Sequence, residues 1–526
     1  MNNQVLLLVS IFSSEKEKHG TLKKIFLPMK KKKENRIVLE GVVFCVGAAI
    51  MIFEMVGSRI LAPYMGTSLF VWTGIIGVIL GALSIGYYYG GLRADASPRK
   101  QSLSAILVFA AISILFSIFI KDMFLVFLNE TITDMRLSAA LASLVLFAPT
   151  SMLLGMVAPY AARLKMDEIT HSGSIVGRLY ALSTIGSIGG TFLAGFVLIP
   201  LMGSTKILFC IAGLLLLCAF ALTPFPKRIN ILIGIHLFLL SAAGAYAWND
   251  NLLFPGIIQY DTKYNHVRIY HYVDSRTGKP AQLMRINNES SSAMFLEDDE
   301  LVFKYTAFYD LAEYFVPHFS SALMLGGAGY SYPKHFLQRY QNATIDVVEI
   351  DPDLTNIAKK HFRLKDNPRL TIIHEDGRTF LRKNKKKYDV FLGDAYKSFY
   401  SLPYHLTTKE AVEDIFKSLN KDCVAIINII SRIEGKGNDF LRAEYATFAD
   451  VFPQVFLFPV QKENNGRDIQ NIILVASKSI APFSMKSENM SLQKMLSHHW
   501  KKPIEKSEVL LTDDFAPVEH YIQKML

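Results

Sequence analysis

The sequence predicts a chain in two parts, an N-terminal bundle of transmembrane α-helices and a C-terminal α/β domain built on a mostly parallel sheet with a small β-rich lead-in. Three observations predict it. The chain has 526 residues, too many for one ordinary domain. Residues from about 37 to 249 are almost continuously apolar, whereas those from about 250 onward mix charge with strand-like and helical runs. In that second part apolar runs alternate with amphipathic ones, which is the pattern of parallel strands joined by helices.

The apolar part is read as residues 37–249, preceded by a basic segment, 1–36, that ends in "MKKKKENR". A helix needs about 20 apolar residues to cross a bilayer. Seven stretches reach or approach that length, at about 37–61, 69–92, 103–120, 137–162, 177–202, 204–223 and 229–248. The earlier run "VLLLVSIF" is too short to span and has no clear cleavage site after it, so it is not read as a signal peptide. Gly77 and Gly81, Gly86 and Gly90, and Gly186 and Gly190 are each spaced to bring helix backbones close in lipid. Lys and Arg cluster before the first stretch, in "RADASPRK", around Arg163–Arg178 and at Lys227–Arg228. These are alternate loops, so the positive-inside rule makes the N-terminus cytoplasmic. Seven full spans would then put the C-terminal domain outside. A cytoplasmic C-terminal domain requires one candidate, 229–248 or 103–120, not to cross. Glu54 and Arg59 are ionisable residues in the first stretch, expected either to serve function or to pair with each other near the interface.

The lead-in, 250–320, opens with the strand-like runs "HVRIYHYV" (His266–Val273) and "AQLMRIN" (Ala281–Asn287), then a helix over Glu300–Phe315. From 321 to 526 the alternation is regular. Strand 322–327 precedes helix 331–340, strand 344–351 helix 354–362, strand 370–375 helix 378–383, strand 388–394 helix 408–419, and strand 423–430 helix 440–448. Two last runs, "QVFLFPV" and "NIILVAS", flank the polar turn "QKENNGRD" and read as an antiparallel pair. The whole is Rossmann-like, and ligands of such sheets sit at the carboxyl ends of the strands.

Those ends are informative in order. The first is "LGGAGY", whose Gly326, Gly327 and Gly329 allow close backbone approach to a ligand. The second is "VVEIDPD", where Glu349 falls about twenty residues later, the place for an acid on ribose hydroxyls. The third is "HEDGRTF"; Asp376 suits an adenine amine or a plain helix N-cap, and Gly377 leaves room for a ring. The fourth ends at Asp394 in "YDVFLGDAY". One such end is bland; four in register point to an adenosine site.

The net charge of +10 is largely local, in "MKKKKENR" beside a hydrophobic stretch and in "RKNKKKY", and is read as topology and solvation rather than nucleic-acid binding. The four cysteines have no metal-ligand or disulfide spacing.

From about Tyr264 to Ile430 the chain resembles the spermidine synthase (polyamine aminopropyltransferase) family, through "LGGAGY", "VVEIDPDL", "EDGRTFL", "YDVFLGDAY" and "LTTKEAVEDI". The segment "EDDELVFKYTAF" also resembles that family's pre-sheet segment, and "EMVGSRILAPYMGT" and "LLTDDFAPVEHY" resemble its membrane-fused members. The resemblance implies a class I S-adenosylmethionine-binding fold and no metal. It implies decarboxylated S-adenosylmethionine, or S-adenosylmethionine itself, as donor. It places Glu349 on the ribose, Asp376 on the adenine and Asp394 in catalysis. Tyr305, Lys397, Tyr400 and Tyr404, together with Tyr396, are expected to line the pocket of a small-molecule acceptor, a polyamine or another compound. The lipid bilayer is the other expected partner, and a homo-oligomer is compatible with this reading.

Two positions depart from the family pattern. Ala328 stands where the family has an Asp on the donor's amine, and Lys397 where it has an Asp for the attacking amine. A like-charge contact at about 4 Å costs roughly 1 kcal/mol in water and about 4 kcal/mol at an effective dielectric near 20. These substitutions therefore disfavour a dicationic acceptor and suit a donor that keeps its carboxylate. Three readings stay open: an aminopropyltransferase with a rearranged acceptor site, an S-adenosylmethionine-dependent methyltransferase on the same scaffold, and a nucleotide-binding membrane sensor without chemistry.

Overall fold

A computed structural model describes residues 29–222 and 256–525, apart from 67, 133, 167–171, 288, 396–402, 462–465 and 506, and only scattered positions between 223 and 255. The seventh apolar stretch, 229–248, therefore lies mostly outside the described residues, as does the N-terminal segment before residue 29.

Among the described residues the other six stretches are helical. Five helices are long and apolar enough to cross a membrane: Ile37–Met65, Leu69–Ala96, Lys100–Thr131, Gly173–Leu201 and Ser204–Leu222. A sixth crossing is formed if Met135–Leu146 and Ala148–Lys165 count as one span bent by 51°. The bend sits at Phe147, two residues before Pro149, whose ring nitrogen cannot donate to the helix ladder. The stretch at 103–120, one of the two named from topology as candidates not to cross, lies instead in the unbroken helix Lys100–Thr131.

Glycine spacing is borne out on two of its three pairs. A Cβ on Gly186 would lie 2.1 Å from the Phe44 carbonyl oxygen and one on Gly190 2.4 Å from that of Ala48, so these glycines set the contact of their helix with Met29–Met65. Gly86 and Gly90 pack equally closely on Met152 and Met156. Gly77 and Gly81 meet nothing within 4 Å and face outward. Several polar side chains between the helices are paired. Glu40 takes both Lys165 and Arg178, and Ser117 donates to the Leu146 carbonyl at 2.7 Å. The expected Glu54–Arg59 contact is not formed; five residues turn a helix by about 140°, which separates the two side chains. Arg59 instead reaches the carbonyls of Thr262 and Lys263.

The lead-in is a four-stranded antiparallel meander, β1 (Ile257–Asp261), β2 (His266–Val273), β3 (Pro280–Ile286) and β4 (Glu289–Phe295). The sequence patterns did not show β1 or β4. The latter reads "ESSSAMF", poor in β-formers, and is held by its register with β3. The expected helix over Glu300–Phe315 is confined to Lys304–Phe315 and broken into short α and 3₁₀ turns.

Seven further strands form the main sheet: β5 (Ser321–Leu325), β6 (Thr344–Val348), β7 (Leu370–Ile373), β8 (Tyr388–Gly393), β9 (Leu419–Ser431), β10 (Gln454–Pro459) and β11 (Gln470–Ser477). Their order is β10-β11-β9-β8-β5-β6-β7. β7, β6, β5, β8 and β9 run parallel, while β11 pairs antiparallel with β9 and with β10, as the polar turn predicted. Helices cover both faces. One core gathers Tyr309, Phe336, Ile345 and Phe362, the other Phe391, Val412, Phe440 and Leu474. Strand order reverses between β5 and β8, where a crevice opens at the carboxyl ends.

The glycine contacts make a prediction. Gly186→Ala forces the helix containing Phe44 away and lowers the melting temperature of the detergent-solubilised protein. Gly81→Ala adds helix propensity of about 1 kcal/mol in open space and does not lower it.

Candidate active site

The crevice is a cavity of about 1420 Å³ at the carboxyl ends of β5, β6 and β8 and at the turn after β7. Gly326, Gly327, Ala328, Glu349, Asp376, Gly377, Asp394 and Tyr305 all line it. Four strand ends read separately from the sequence thus converge on one space.

The glycine loop is shaped by backbone that most side chains resist. Gly326 has φ +94°, and a Cβ there would lie 2.4 Å from the Asp394 carbonyl oxygen, so only glycine fits. Ala328 and Tyr330 have φ +46° and +55°. An L-residue in that region costs roughly 1–2 kcal/mol. Gly329 does not line the cavity; it packs on Ser292 of β4 and on Phe362.

Glu349 follows β6 and is 6% exposed. One carboxylate oxygen accepts the Gly327 and Ala328 N–H groups at 2.9 and 3.1 Å, and the other accepts the Asp351 N–H at 3.0 Å. Burial pushes its carboxyl upward, and the three N–H donors pull it back. The oxygen that accepts from Asp351 alone keeps a lone pair for a hydroxyl donor. Asp376 caps the helix Gly377–Lys383 with one oxygen, which accepts from the Thr379 N–H and hydroxyl at 2.9 and 3.0 Å. Its other oxygen stands 3.7 Å from Nε2 of His405, also in the cavity wall. Capping and a place in the wall are therefore combined in one side chain.

Asp394, at the end of β8, is held from two sides. The Tyr305 hydroxyl donates to Oδ2 and the Asn428 amide to Oδ1, both at 3.1 Å. Asn428 in turn accepts from the Asn471 amide at 3.0 Å. Burial pushes the Asp394 carboxyl up to about 6, against the pull of these donors and of Tyr309. Burial and the carboxylate together raise Tyr305 well above the ordinary tyrosine range, so it remains a donor. A carboxylate near 6 is matched to proton transfer at neutral pH.

Other expected residues are placed less fully. Tyr396, Lys397 and Tyr400 lie outside the described residues. Tyr404 is 51% exposed and does not line the cavity; its neighbours Pro403 and His405 do. Sequence reading missed Asn428, Tyr309, His405 and Asn265. Asn428 carried a usable signal, a lone amide in the apolar run "CVAIINII" that must find partners once buried.

The chain is similar to proteins of known family. The spermine/spermidine synthase domain family matches residues 309–461. The polyamine aminopropyltransferase of Vibrio vulnificus (strain CMCP6) is 25% identical over 237 residues, spanning 42% of this chain and 76% of its own length. Polyamine aminopropyltransferase 2 of Aquifex aeolicus (strain VF5) is 23% identical over 397 residues, 71% of this chain and 76% of its own length, so the match extends into the apolar helices. The crystal structure of a probable spermidine synthase from Corynebacterium glutamicum ATCC 13032 is 24% identical, covers 44% of this chain and 82% of its own, and superposes with a TM-score of 0.39.

The donors on Asp394 make a prediction. Tyr305→Phe removes a hydrogen bond that favours the ionised carboxylate, so the Asp394 midpoint rises above about 6. Infrared titration of the carboxyl band checks it; an unchanged or lower midpoint contradicts the assignment.

Proposed function

Starting from a C-terminal spermine/spermidine synthase domain joined to helices apolar enough to cross a membrane, we propose that this chain is a membrane-anchored transferase. It uses an adenosyl sulfonium donor, decarboxylated S-adenosylmethionine or S-adenosylmethionine, and a small amine-bearing acceptor. The observation that carries the reading is the shared cavity: the glycine loop, Glu349, Asp376 and Asp394 face one space large enough for donor and acceptor together.

The proposed chemistry asks for position and a base. The Gly326–Ala328 backbone and Glu349 hold the ribose, and Asp376 and Gly377 flank the adenine. The acceptor nitrogen lone pair forms a bond to a carbon beside the sulfonium. The carbon–sulfur pair returns to sulfur, which leaves as a neutral thioether. The proton released by nitrogen passes to the Asp394 carboxylate. Alignment accounts for most of the rate gain, because the leaving group is already activated. The step asks for no Lewis acid, because the sulfonium is already a charged leaving group.

Ala328 favours a second reading at the same site. Its methyl group lines the cavity where a family acid would meet the donor's amine, and this suits a donor that keeps its carboxylate. Methyl transfer would then be the reaction. Isothermal titration with both donors separates the two, and a preference for the decarboxylated donor ends the second. Mass spectrometry of products, with putrescine and each donor, identifies the transferred group; stoichiometric binding without turnover points to a sensor. The anchored domain is proposed to face the cytoplasm, where the donor is made. Protease cleavage of a C-terminal tag from outside intact cells contradicts that placement.

Asp394→Asn is expected to lower turnover by about 10²–10⁴-fold. The wild-type rate falls as pH drops through about 6, because the required form is the carboxylate. The sign for stability is opposite. A carboxyl raised by burial favours the folded state in its protonated form, and that contribution is lost as pH rises through about 6. At pH 7 the neutral amide therefore melts no lower than wild type. Retained turnover, or a large loss of stability in the variant, contradicts the role.

A further inference from the structure

We propose that Arg59, on the first apolar helix, is a positioning residue for the nucleoside site, acting through a continuous hydrogen-bonded chain that ends on Glu349. The inference rests on the donor reading of that site and extends it to the apolar helices.

The chain begins where Arg59 leaves its helix. Its two terminal nitrogens donate to the carbonyls of Lys263 and Thr262 at 2.5 and 2.8 Å. A planar guanidinium spans two acceptors in a way that an ammonium cannot. These carbonyls belong to the tight turn between β1 and β2, closed by the Thr262 N–H on the Asn265 carbonyl at 2.8 Å. The turn is also seated on the helical region from another side, since a Cβ on Gly203 would come within 2.2 Å of Asp261.

The same turn holds the acid next to the site. The Thr262 hydroxyl and the Asn265 amide both donate to one oxygen of Asp351, at 2.5 and 3.0 Å. Asp351 is fully buried, and its other oxygen caps the helix Pro352–His361. Its own N–H donates to Glu349 at 3.0 Å, and Glu349 holds the glycine loop through Gly327 and Ala328. Asn265 itself lines the cavity. Three hydrogen bonds, through Thr262 and Asp351, therefore connect a cation on an apolar helix to the carboxylate expected on the ribose. Loosening the turn leaves the buried Asp351 oxygen short of donors, a costly state that its neighbours must relax to relieve.

The test uses the full-length protein in detergent or nanodiscs and titrates S-adenosylmethionine and its decarboxylated form. Arg59→Ala is expected to weaken binding of the preferred donor about tenfold. Arg59→Lys, with one point charge for two carbonyls, falls between. Thr262→Val keeps the carbonyl that Arg59 grips but removes the hydroxyl on Asp351, and it weakens binding similarly. Because both act along one path, the double variant Arg59→Ala/Thr262→Val is no weaker than the weaker single one. Arg163→Gln, which breaks an exposed ion pair with Asp95 elsewhere on the helices, leaves affinity unchanged. Hydrogen exchange gives a ligand-free readout: the Gly327, Ala328 and Asp351 amides exchange faster in Arg59→Ala. Affinities within about twofold of wild type, additive losses in the double variant, or faster exchange confined to the 262–265 turn would each overturn the proposal. If the wild type binds neither donor, the nucleoside reading fails, while the exchange comparison still decides whether Arg59 orders the loop.

Discussion

The buried carboxylate of Glu349 is the interaction on which the rest of the site depends. It gathers three backbone N–H groups, from Gly327 and Ala328 after β5 and from Asp351 after β6. Those donors belong to loops that must otherwise satisfy their N–H groups with water or lose stability. One side chain thus fixes the left-handed turn at Ala328, the entry to the helix Pro352–His361 and the floor of the cavity. Removing it would orphan all three donors at once.

Asp394 shows the opposite use of burial. Its donors are side chains, and they do not overcome desolvation, so its carboxyl sits near 6. Two carboxylates at strand ends on either side of β5 are tuned for different work. Glu349 is fixed by three backbone N–H groups and built to hold, whereas Asp394 is held by a phenol and an amide at a pKa where a proton can come and go. The Asn428–Asn471 relay extends that support across β9 and β11, which gives the antiparallel edge of the sheet a part in the site.

The apolar helices obey a different constraint. Their contacts are made by backbone approaching backbone at Gly186, Gly190, Gly86 and Gly90, and buried hydroxyls such as Ser117 bond to carbonyls of neighbouring helices. Arg59 departs from this rule by turning outward to the β1–β2 turn, and it joins the two parts of the chain by hydrogen bonds to carbonyls rather than by apolar packing.

Periodicity and punctuation made the parallel strands, their helices and four strand ends legible in the sequence, because each is a local pattern: apolar runs of fixed length, glycines, and acids at the ends. Six apolar stretches were legible for the same reason. What stayed hidden was whatever depends on partners distant in the chain. Strand β4 is made of serines that only β3 organises, and Gly77 and Gly81 have the same spacing as Gly186 and Gly190 but no helix against them. The partner of Arg59 lies some two hundred residues away. By itself the sequence determined which residue types stand at the strand ends, since that follows from neighbours along the chain. Only the tertiary structure decided that those ends enclose one cavity, that Asp376 both caps a helix and faces that cavity, and that a cation on an apolar helix grips the lead-in. Each of these depends on distances through space, and local propensity carries no information about them.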